Sequence, residues 1–342
     1  MKFPRPGRLV LLSTALVALA TGSLALAPSD LPSPTYGLNL LVVGTDVRAG
    51  VTAEEKERYR LGSAECACTD VIMLVHVSAK NDRVSVVSLP RDSLTTFPAG
   101  HVDRRTGEEH DAHLAKINHA WAEGGPALAI EIAEATTGVP VHRYLEIDFR
   151  RFMDTVNHFD KGVPVCTKTR LKDPVTGIDL RAGTTPLRGG PALQYVRSRR
   201  ADGKMDFGRI QKQQLFVANA LRNVRDGLLR DPKALRALAA TLRGTAKAER
   251  GISVPELVTL AGRLRNVTPA RTEFATVPIA GFNEDVEDVG STLAWDDDQA
   301  TEVFGALRTD RPLPKAKPKP TSDIPQGLGD YRPVRGDKLL CK

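Results

Sequence analysis

Aromatic residues are scarce in this chain and make up only 5% of its 342 residues. Proteins that hold single-stranded nucleic acid stack its bases on aromatic rings, so a dedicated nucleic-acid module is not expected. The net charge of +7 does not change this expectation, because the excess lies at the two ends of the chain. Residues 1–8 supply three positive charges and residues 311–342 a net five, which leaves −1 for the rest. We therefore expect no nucleic-acid partner.

A nucleotide-binding loop of the Walker type is also missing. The stretch GTDVRAG at residues 44–50 lacks the Gly-Lys-Ser/Thr ending that cradles the phosphates of a nucleotide. Nucleotide chemistry is therefore not indicated.

Cysteines are few, and their spacing does not suit a zinc knuckle. The single residue between Cys66 and Cys68 is too short a gap for one. An even count of four suits an oxidising compartment. The sequence allows a bridge from Cys166 to Cys66 or to Cys68 and does not decide between them. Cys341, one residue from the end of the chain, is expected to stay unpaired.

One long run without charge, residues 9–27, follows the basic N-terminus. At 1.5 Å per residue, a helix of this length spans most of a bilayer core. The basic flank predicts a cytoplasmic N-terminus with the remainder of the chain outside the cell. A cleaved signal peptide is the alternative, since Ala25 and Ala27 form a cleavage-like pattern, but Pro28 directly after it disfavours cleavage. Either interpretation predicts an exported domain.

The remaining patterns predict an α/β fold in a single domain. Continuous apolar runs at residues 38–44, 71–77 and 83–89 predict buried strands. Helical periodicity predicts helices at residues 125–138 and 148–159 and a long helix from residue 206. The predicted organisation is a cytoplasmic tip (1–8), a transmembrane anchor (9–27), a spacer (28–37), a catalytic domain (38–310) and a Pro/Lys-rich disordered tail (311–342).

Charged side chains stand at the ends of the first three predicted strands. Asp46 follows the first strand, Asp70 opens the second, and Arg91 and Asp92 follow the third. If the second and third strands form a simple antiparallel hairpin, its register sets Asp70 opposite Arg91. An antiparallel first strand would bring Asp46 to the same sheet edge, where sites of α/β proteins gather. The alternative is a set of unrelated surface charges that includes an ordinary ion pair.

Positive charge is concentrated in the stretch YVRSRRADGKMDFGRIQKQQ, residues 195–214. The alternation in YVRSR predicts an extended segment with Tyr195, Arg197 and Arg199 on one face. In the helix that follows, Arg209 falls in the first turn and Gln213 one turn further along the same face.

An arginine in a first turn opposes the helix dipole unless an anion binds there too. Asp206 is expected to cap this helix. A solvated basic surface is the alternative interpretation. Several arginines together with Asp46 and Asp70, two acids able to hold a hard cation, predict a site for Mg²⁺ and phosphate.

The stretch EEHDAH at residues 108–113 offers a second metal hypothesis, through His110 and His113. A solvated loop is the favoured interpretation of this stretch.

Taken together, these blocks resemble the LytR-CpsA-Psr family of bacterial cell-envelope enzymes. The resemblance covers roughly residues 36–310, and several long blocks occur in the family's order. They are NLLVVGTDVR, TDVIMLVHVSAKNDRVSVVSLPRDS, KINHAWAEGGPALAIEIAEATTGVPVHRYLEIDF, ALQYVRSR and DFGRIQKQQ.

The resemblance implies an α/β/α domain with a mixed central sheet that encloses a polyprenyl-pyrophosphate lipid. It implies Mg²⁺-dependent transfer of a glycopolymer from that carrier to peptidoglycan, with formation of a phosphodiester. Asp46 and Asp70 match the acids near the metal and Arg91 the arginine of the Pro-Arg-Asp motif, with Asp92 beside it as a further candidate for the proton acceptor. The positions that match pyrophosphate contacts are Arg91, Arg197, Arg199, Arg209 and Gln213.

Two departures from the family pattern stand out. Cys68 occupies a position where relatives often carry an arginine, so one phosphate contact is either missing or supplied by Arg48. Related sequences also carry a second cysteine about eighteen residues after the one that matches Cys166, and this chain has none near Thr184.

Three alternatives to transfer remain at this stage. The same residues would serve a hydrolase that cleaves lipid diphosphate with water. A non-catalytic module that retains envelope polymers is the second alternative. The third is a transcriptional attenuator, which the export signal and the nearly neutral body of the chain disfavour.

Overall fold

The computed structural model describes residues 31–62, 68–201, 203–242, 248–315 and 331–342. The expected anchor at residues 9–27 lies outside these ranges and stays a prediction. Within them, no helix combines the length and the apolar character that a membrane crossing needs.

The strands and helices alternate along the chain, as expected for an α/β protein. The strands are β1 (Leu38–Thr45), β2 (Thr69–Val77), β3 (Val84–Ser88), β4 (Leu94–Phe97), β5 (His101–Val102), β6 (Glu109–His110), β7 (His113–Lys116), β8 (Arg143–Ile147), β9 (Val163–Thr167), β10 (Leu171–Lys172), β11 (Asp179–Leu180), β12 (Gly183–Leu187), β13 (Thr272–Thr276), β14 (Ile279–Val286), β15 (Gly290–Trp295) and β16 (Val334–Arg335). The helices are α1 (Ala53–Arg58), α2 (His119–Thr137), α3 (Phe149–Asn157), α4 (Gly189–Arg197), α5 (Met205–Asp226), α6 (Pro232–Thr241), α7 (Val254–Arg263), α8 (Asp297–Arg308) and α9 (Gly336–Leu339).

A six-stranded sheet forms the centre, in the order β16-β13-β3-β2-β1-β8. Strand β1 is antiparallel to β2 and parallel to β8, while β3 is antiparallel to β2 and parallel to β13. The central sheet is therefore mixed, as the resemblance implied.

Helices cover both faces of this sheet, because alternate side chains of each strand point to opposite sides. Leu41 and Ile72 belong to the core that includes residues of α2 and α8. Leu40 and Met73 belong to the core on the other face, with residues of α5 and α7. A further core joins α3 and α4 to the β9–β12 ribbon. The expected α/β/α layering is thus present.

The β2–β3 hairpin has the register that the sequence predicts. Val77 pairs with Val84, and the ladder continues to Met73 opposite Ser88. Extended by three residues, this register leads from the ladder to Asp70 and Arg91, whose side chains do meet.

Two predicted helices are confirmed together with their end signals. Asp148 caps α3, where its carboxylate accepts a hydrogen bond from the backbone N–H of Arg151. Gly138 ends α2 in the left-handed conformation that glycine adopts most easily. Helix α2 begins earlier than predicted, at His119, because it continues across a kink at Gly125 (φ 68°).

The arginine-rich stretch differs from its predicted local structure. Tyr195 and Arg197 end helix α4 instead of lying in an extended segment, and the chain turns at Ser198. Asp206 is not a cap, because α5 already begins at Met205 and Asp206 lies inside its first turn. Alternation over five residues was too short a pattern to distinguish a strand from the last turn of a helix.

The C-terminal residues belong to the fold, so the prediction of a disordered tail is wrong for residues 331–342. Strand β16 pairs with β13 at the edge of the central sheet. Cys341 forms a disulfide with Cys166, which corrects the expectation of an unpaired Cys341 and rules out the possible bridge from Cys166 to Cys66 or Cys68. Residues 316–330 lie outside the description. Pro and Lys content did not reveal that the last twelve residues dock.

Candidate active site

An apolar cavity of about 390 Å³ lies between the central sheet and helices α3, α4 and α5. Its walls come from β1 and β2 on one side and from aromatic and aliphatic residues of the helices on the other. The main apolar lining residues are Val42, Val71, Met73, Phe149, Phe152, Leu193, Val196, Phe216 and Val217. Asp70 and four arginines, Arg197, Arg199, Arg200 and Arg209, also line it. The cavity is therefore amphipathic.

Three arginines that are distant along the chain converge on one oxygen of Asp70. Arg91 donates to Asp70 Oδ1 at 2.7 Å, Arg209 at 3.2 Å and Arg199 at 3.4 Å. They come from the end of the β2–β3 hairpin, from α5 and from the turn after α4. Clustering of these residues, expected from the sequence, is thus what the structure shows.

Burial and charge oppose each other at Asp70. Burial would raise the pKa of its carboxyl, but the guanidinium groups of Arg209, Arg91 and Arg199 outweigh this and hold the pKa below its usual value. Asp70 is therefore ionised at neutral pH.

Asp206 is a second acid in the cluster, and the sequence did not identify it as a site residue. Its carboxylate lies 2.9 Å from Arg199, 3.3 Å from Arg91 and 3.7 Å from Arg209. Its spacing of three residues from Arg209 on the same helix was the available signal. Asp70 and Asp206 together hold the three arginines in position.

Arg209 is the most deeply buried member, with a side chain only 3% exposed. Burial lowers its pKa despite the attraction of Asp70 and Asp206, so its charge is incompletely compensated. Its Nε atom is buried and has no hydrogen-bond acceptor among the residues described. An anionic ligand would supply the missing acceptor.

Arg197 lines the cavity but makes no ion pair with Asp70. Its guanidinium lies over the ring of Phe149, 5.0 Å from the centroid. Burial lowers its pKa, and Arg48 and Arg199 add to the effect by repulsion. Arg48 approaches the same ring at 5.7 Å. That Arg48 supplies the phosphate contact absent at Cys68 stays a prediction.

Asp46 and Asp92 lie beside the cluster. Asp46 Oδ1 accepts a hydrogen bond from the backbone N–H of Cys68 at 3.3 Å, and Asp46 Oδ2 lies 3.9 Å from Arg48. Asp92 lies 3.4 Å from Arg91 and 3.8 Å from Lys116.

Gln213 lines the cavity, as the sequence predicts for a site residue, and also connects two of its helices. Its side chain is buried and donates to the carbonyl oxygen of Val196 at 3.2 Å, which ties α5 to α4. Asp173, which the sequence did not suggest, accepts from the backbone N–H groups of Arg199 and Arg200 and shapes the turn that presents them.

The carboxylates have the chemistry that a hard cation prefers. Mg²⁺ is bound through one or two carboxylates and keeps several waters. Asp46 and Asp70 stand at the ends of neighbouring antiparallel strands, where Asp46 N–H donates to the carbonyl oxygen of Cys68. Thr45 adds a buried hydroxyl that lacks a partner in the described part of the chain. This donor set fits Mg²⁺.

Comparison with known proteins gives a consistent result. The sequence profile of the LytR_cpsA_psr family matches residues 23–309. A probable cell wall biosynthesis protein, LcpB of Corynebacterium glutamicum, is 30% identical over 283 residues, covering 82% of this chain and 63% of the relative. The polyisoprenyl-teichoic acid–peptidoglycan teichoic acid transferase TagU of Bacillus anthracis is 29% identical over 191 residues, covering 56% of this chain and 54% of the relative.

Among solved structures, B. subtilis TagV superposes with a TM-score of 0.59 at 20% identity, covering 82% of this chain and 99% of that one. This likeness concerns the fold. The chain spans less than two thirds of the length of these two curated relatives. The family match nevertheless covers most of the chain and includes the cavity and the arginine cluster. The chain therefore belongs to the LytR-CpsA-Psr family.

Proposed function

We propose that this protein transfers a glycopolymer from a polyprenyl-pyrophosphate carrier to peptidoglycan and forms a phosphodiester link. The observation that carries the proposal is the apolar cavity with arginines clustered on Asp70. This combination matches a ligand with a long hydrocarbon tail and a diphosphate head. The name of TagU, a relative that acts on polyisoprenyl-linked teichoic acid and peptidoglycan, supports the same substrate classes.

The two ends of the cavity bind the two parts of the carrier. The arginines Arg91, Arg197, Arg199 and Arg209 contact the diphosphate oxygens, which suit bidentate guanidinium contacts. The prenyl chain lies along Phe149, Phe216 and the other apolar walls. At about 0.8 kcal/mol per buried CH₂, ten buried carbons contribute on the order of 8 kcal/mol to binding.

In the proposed reaction, a sugar hydroxyl of peptidoglycan attacks the phosphorus that bears the glycopolymer. A new P–O bond forms, the bond from this phosphorus to the bridging oxygen breaks, and polyprenyl phosphate leaves. The arginines stabilise the charge that gathers on the phosphoryl oxygens, which is the main requirement of phosphoryl transfer.

The guanidinium groups that hold the pKa of Asp70 below its usual value make its carboxylate a poor proton acceptor, and Asp46 and Asp92 are the other candidates to accept the hydroxyl proton.

Asp46 and Asp70 are proposed to hold Mg²⁺. When bound, the ion would polarise the diphosphate and neutralise part of its charge. All three arginines contact Oδ1 of Asp70, so Oδ2 is the oxygen that would contact the ion.

We also propose that residues 9–27 anchor the chain in the cell membrane, with residues 1–8 in the cytoplasm and the catalytic domain, residues 38–310, outside. Spacer residues 28–37 would hold this domain near the lipid carrier.

Product analysis tests the proposal. The purified full chain in detergent is incubated with Mg²⁺ and a synthetic polyprenyl-diphosphate glycan, with and without peptidoglycan oligomers, and the products are identified by mass. A glycan–peptidoglycan phosphodiester is expected only when the acceptor is present. Glycan phosphate released equally with and without acceptor would instead identify a hydrolase. Tight binding with no turnover in either case would favour the non-catalytic role.

A further inference from the structure

A cluster of three histidines and a glutamate lies in the segment that precedes and begins α2. One ligand atom each from His101, His110, His113 and Glu123 lies within 4.8 Å of all the others. The centroids of the three imidazole rings form a nearly equilateral triangle with sides of 5.4, 5.4 and 5.5 Å. The favoured sequence interpretation, a solvated loop at residues 108–113, does not account for these contacts, because His113 lies 3.4 Å from the buried Glu123 and His110 lies 4.0 Å from the buried Asp103.

Backbone pairing positions these histidines. His101 in β5 lies directly opposite His110 in β6. His113 in β7 lies opposite Phe97 in β4, a fully buried residue whose ring contacts both His101 and His113. Two strand registers, not flexible loop geometry, thus bring the imidazoles together.

The hydrogen bonds of the cluster fix which nitrogen of each ring carries a proton. His101 Nδ1 lies 2.8 Å from the carbonyl oxygen of Pro98, and His113 Nδ1 lies 3.0 Å from that of Asp111. A carbonyl oxygen only accepts, so Nδ1 is the donor in both rings. In the neutral form of each ring, the Nε2 atom then carries no proton and presents a lone pair. This arrangement, with Nδ1–H held by a carbonyl, is common among metal-binding histidines.

Both Nε2 atoms face the same acceptor. His101 Nε2 lies 3.2 Å and His113 Nε2 3.4 Å from Glu123 Oε2. Lone pairs at these distances repel one another unless a cation lies between them. A single divalent cation satisfies all the groups with neutral imidazoles.

We propose that His101, His110, His113 and Glu123 bind one Zn²⁺ ion as a structural site. Imidazole nitrogen disfavours Mg²⁺ and Ca²⁺ and suits zinc. A tetrahedral site with bonds of 2.0–2.2 Å has ligand separations of roughly 3.3–3.6 Å, close to the two distances to Glu123. The ligand atoms of the cluster lie up to 4.8 Å apart, which is wider than a tetrahedral site allows. One imidazole ring therefore moves by about 1 Å when the ion binds. His110 and His113, each about one third exposed, have room to do so.

The position of the site indicates what the ion does. Three ligands lie in the β5–β7 segment and the fourth on α2, so the ion crosslinks this segment to the helix. Strand β7 ends at Lys116, and two residues later Asn118 donates its backbone N–H to the carbonyl oxygen of Arg91. The ion would therefore stiffen a support of the arginine cluster without contacting the substrate.

The test uses the tag-free full chain in detergent, stripped of metal with a chelator. Wild-type protein is expected to bind one Zn²⁺ per chain by calorimetry, and Co²⁺ is expected to produce the intense visible absorption of a tetrahedral site. Zn²⁺ should also raise the temperature of thermal unfolding. His113→Ala, at a partly exposed position, should fold normally and lose at least about 10-fold in affinity.

His158→Ala, which removes a histidine at the end of α3, is the matched control and should bind like wild type. His101→Ala provides a second ligand variant, with circular dichroism to confirm folding. Failure of the wild type to bind Zn²⁺ would overturn the proposal. Equal affinities in His113→Ala and His158→Ala would overturn it as well.

Discussion

The substitution Arg209→Met separates catalysis from stability at the arginine cluster. Methionine fills much of the same space without charge. Arg209 is 3% exposed and contacts Asp70 at 3.2 Å and Asp206 at 3.7 Å. Both acids keep two other arginines when it is removed, namely Arg91 and Arg199.

The expected loss of stability is small. Burial lowers the pKa of Arg209, which means that the fold disfavours its charged form. Replacing a buried charge by an apolar group of similar volume is often neutral, whereas leaving an acid wholly unpaired costs about 3–5 kcal/mol. Since neither Asp70 nor Asp206 becomes unpaired, we expect the free energy of unfolding to change by at most about 1–2 kcal/mol.

The expected loss of activity is much larger. Removing one donor aimed at a developing oxyanion lowers the rate by about 10²–10³-fold, or roughly 2.7–4 kcal/mol of barrier. The assay is the mass-detected transfer reaction under saturating carrier, with unfolding measured by urea titration on the same preparation.

Arg150→Met is the matched control for this experiment. Arg150 pairs with Glu55 at 2.8 Å and Asp154 at 2.6 Å outside the cavity, and its side chain is 27% exposed. It should lose about 0.5–1 kcal/mol of stability and keep its activity. Comparable activity in Arg209→Met and Arg150→Met would refute the role assigned to the cluster. So would an Arg209→Met protein whose rate falls only in proportion to its unfolded fraction.

Three further predictions concern the cavity, the C-terminus and a buried histidine. Val217→Asp places a charge on the apolar wall, so kcat/KM for a long prenyl carrier should fall by at least about 10-fold relative to a short-chain carrier, and an unchanged ratio would place the tail elsewhere. Cys341→Ser removes the disulfide to Cys166, which closes a loop of 175 residues, and should lower the free energy of unfolding in urea by about 2–4 kcal/mol; a wild-type midpoint would contradict this. The Nδ1 atom of His142 accepts a hydrogen bond from the backbone N–H of Asn39. Burial lowers the pKa of His142 below 6.5 and outweighs the attraction of Glu134, which would raise it. Stability should therefore decrease as the pH falls below about 6.5, and less so in His142→Asn, which keeps an acceptor but does not titrate; parallel pH profiles of unfolding would show that His142 is not responsible.

The hairpin shows how far local pattern predicts a site. Continuous apolar runs identified β2 and β3, and the short polar turn left one simple register, so Asp70 and Arg91 were predicted as neighbours. Strand pairing obeys a fixed spacing, and a residue's partner follows from counting once the turn is known.

The cluster of three histidines and Glu123 could not be predicted by counting along the chain. His110 and His113 are close in sequence, but His101 and Glu123 complete the set through two strand pairings and the N-terminal part of α2. The strands β5, β6 and β7 are only two to four residues long, so their hydrophobic pattern is too short to be recognised in the sequence. The same limitation applied to the C-terminus, where β16 has two residues and composition suggested disorder.

The sequence by itself determined the α/β class, the main strands and helices, the family, and the identity of most residues in the arginine cluster. These follow from periodicity and from blocks of residues that are contiguous along the chain. Only the tertiary structure decided that Arg91, Arg199 and Arg209 share one oxygen of Asp70, that Asp206 is part of the cluster, and that Cys341 reaches Cys166. The physical reason is that these contacts join elements through side-chain packing across the sheet, and packing depends on how separate elements dock, which no local pattern records.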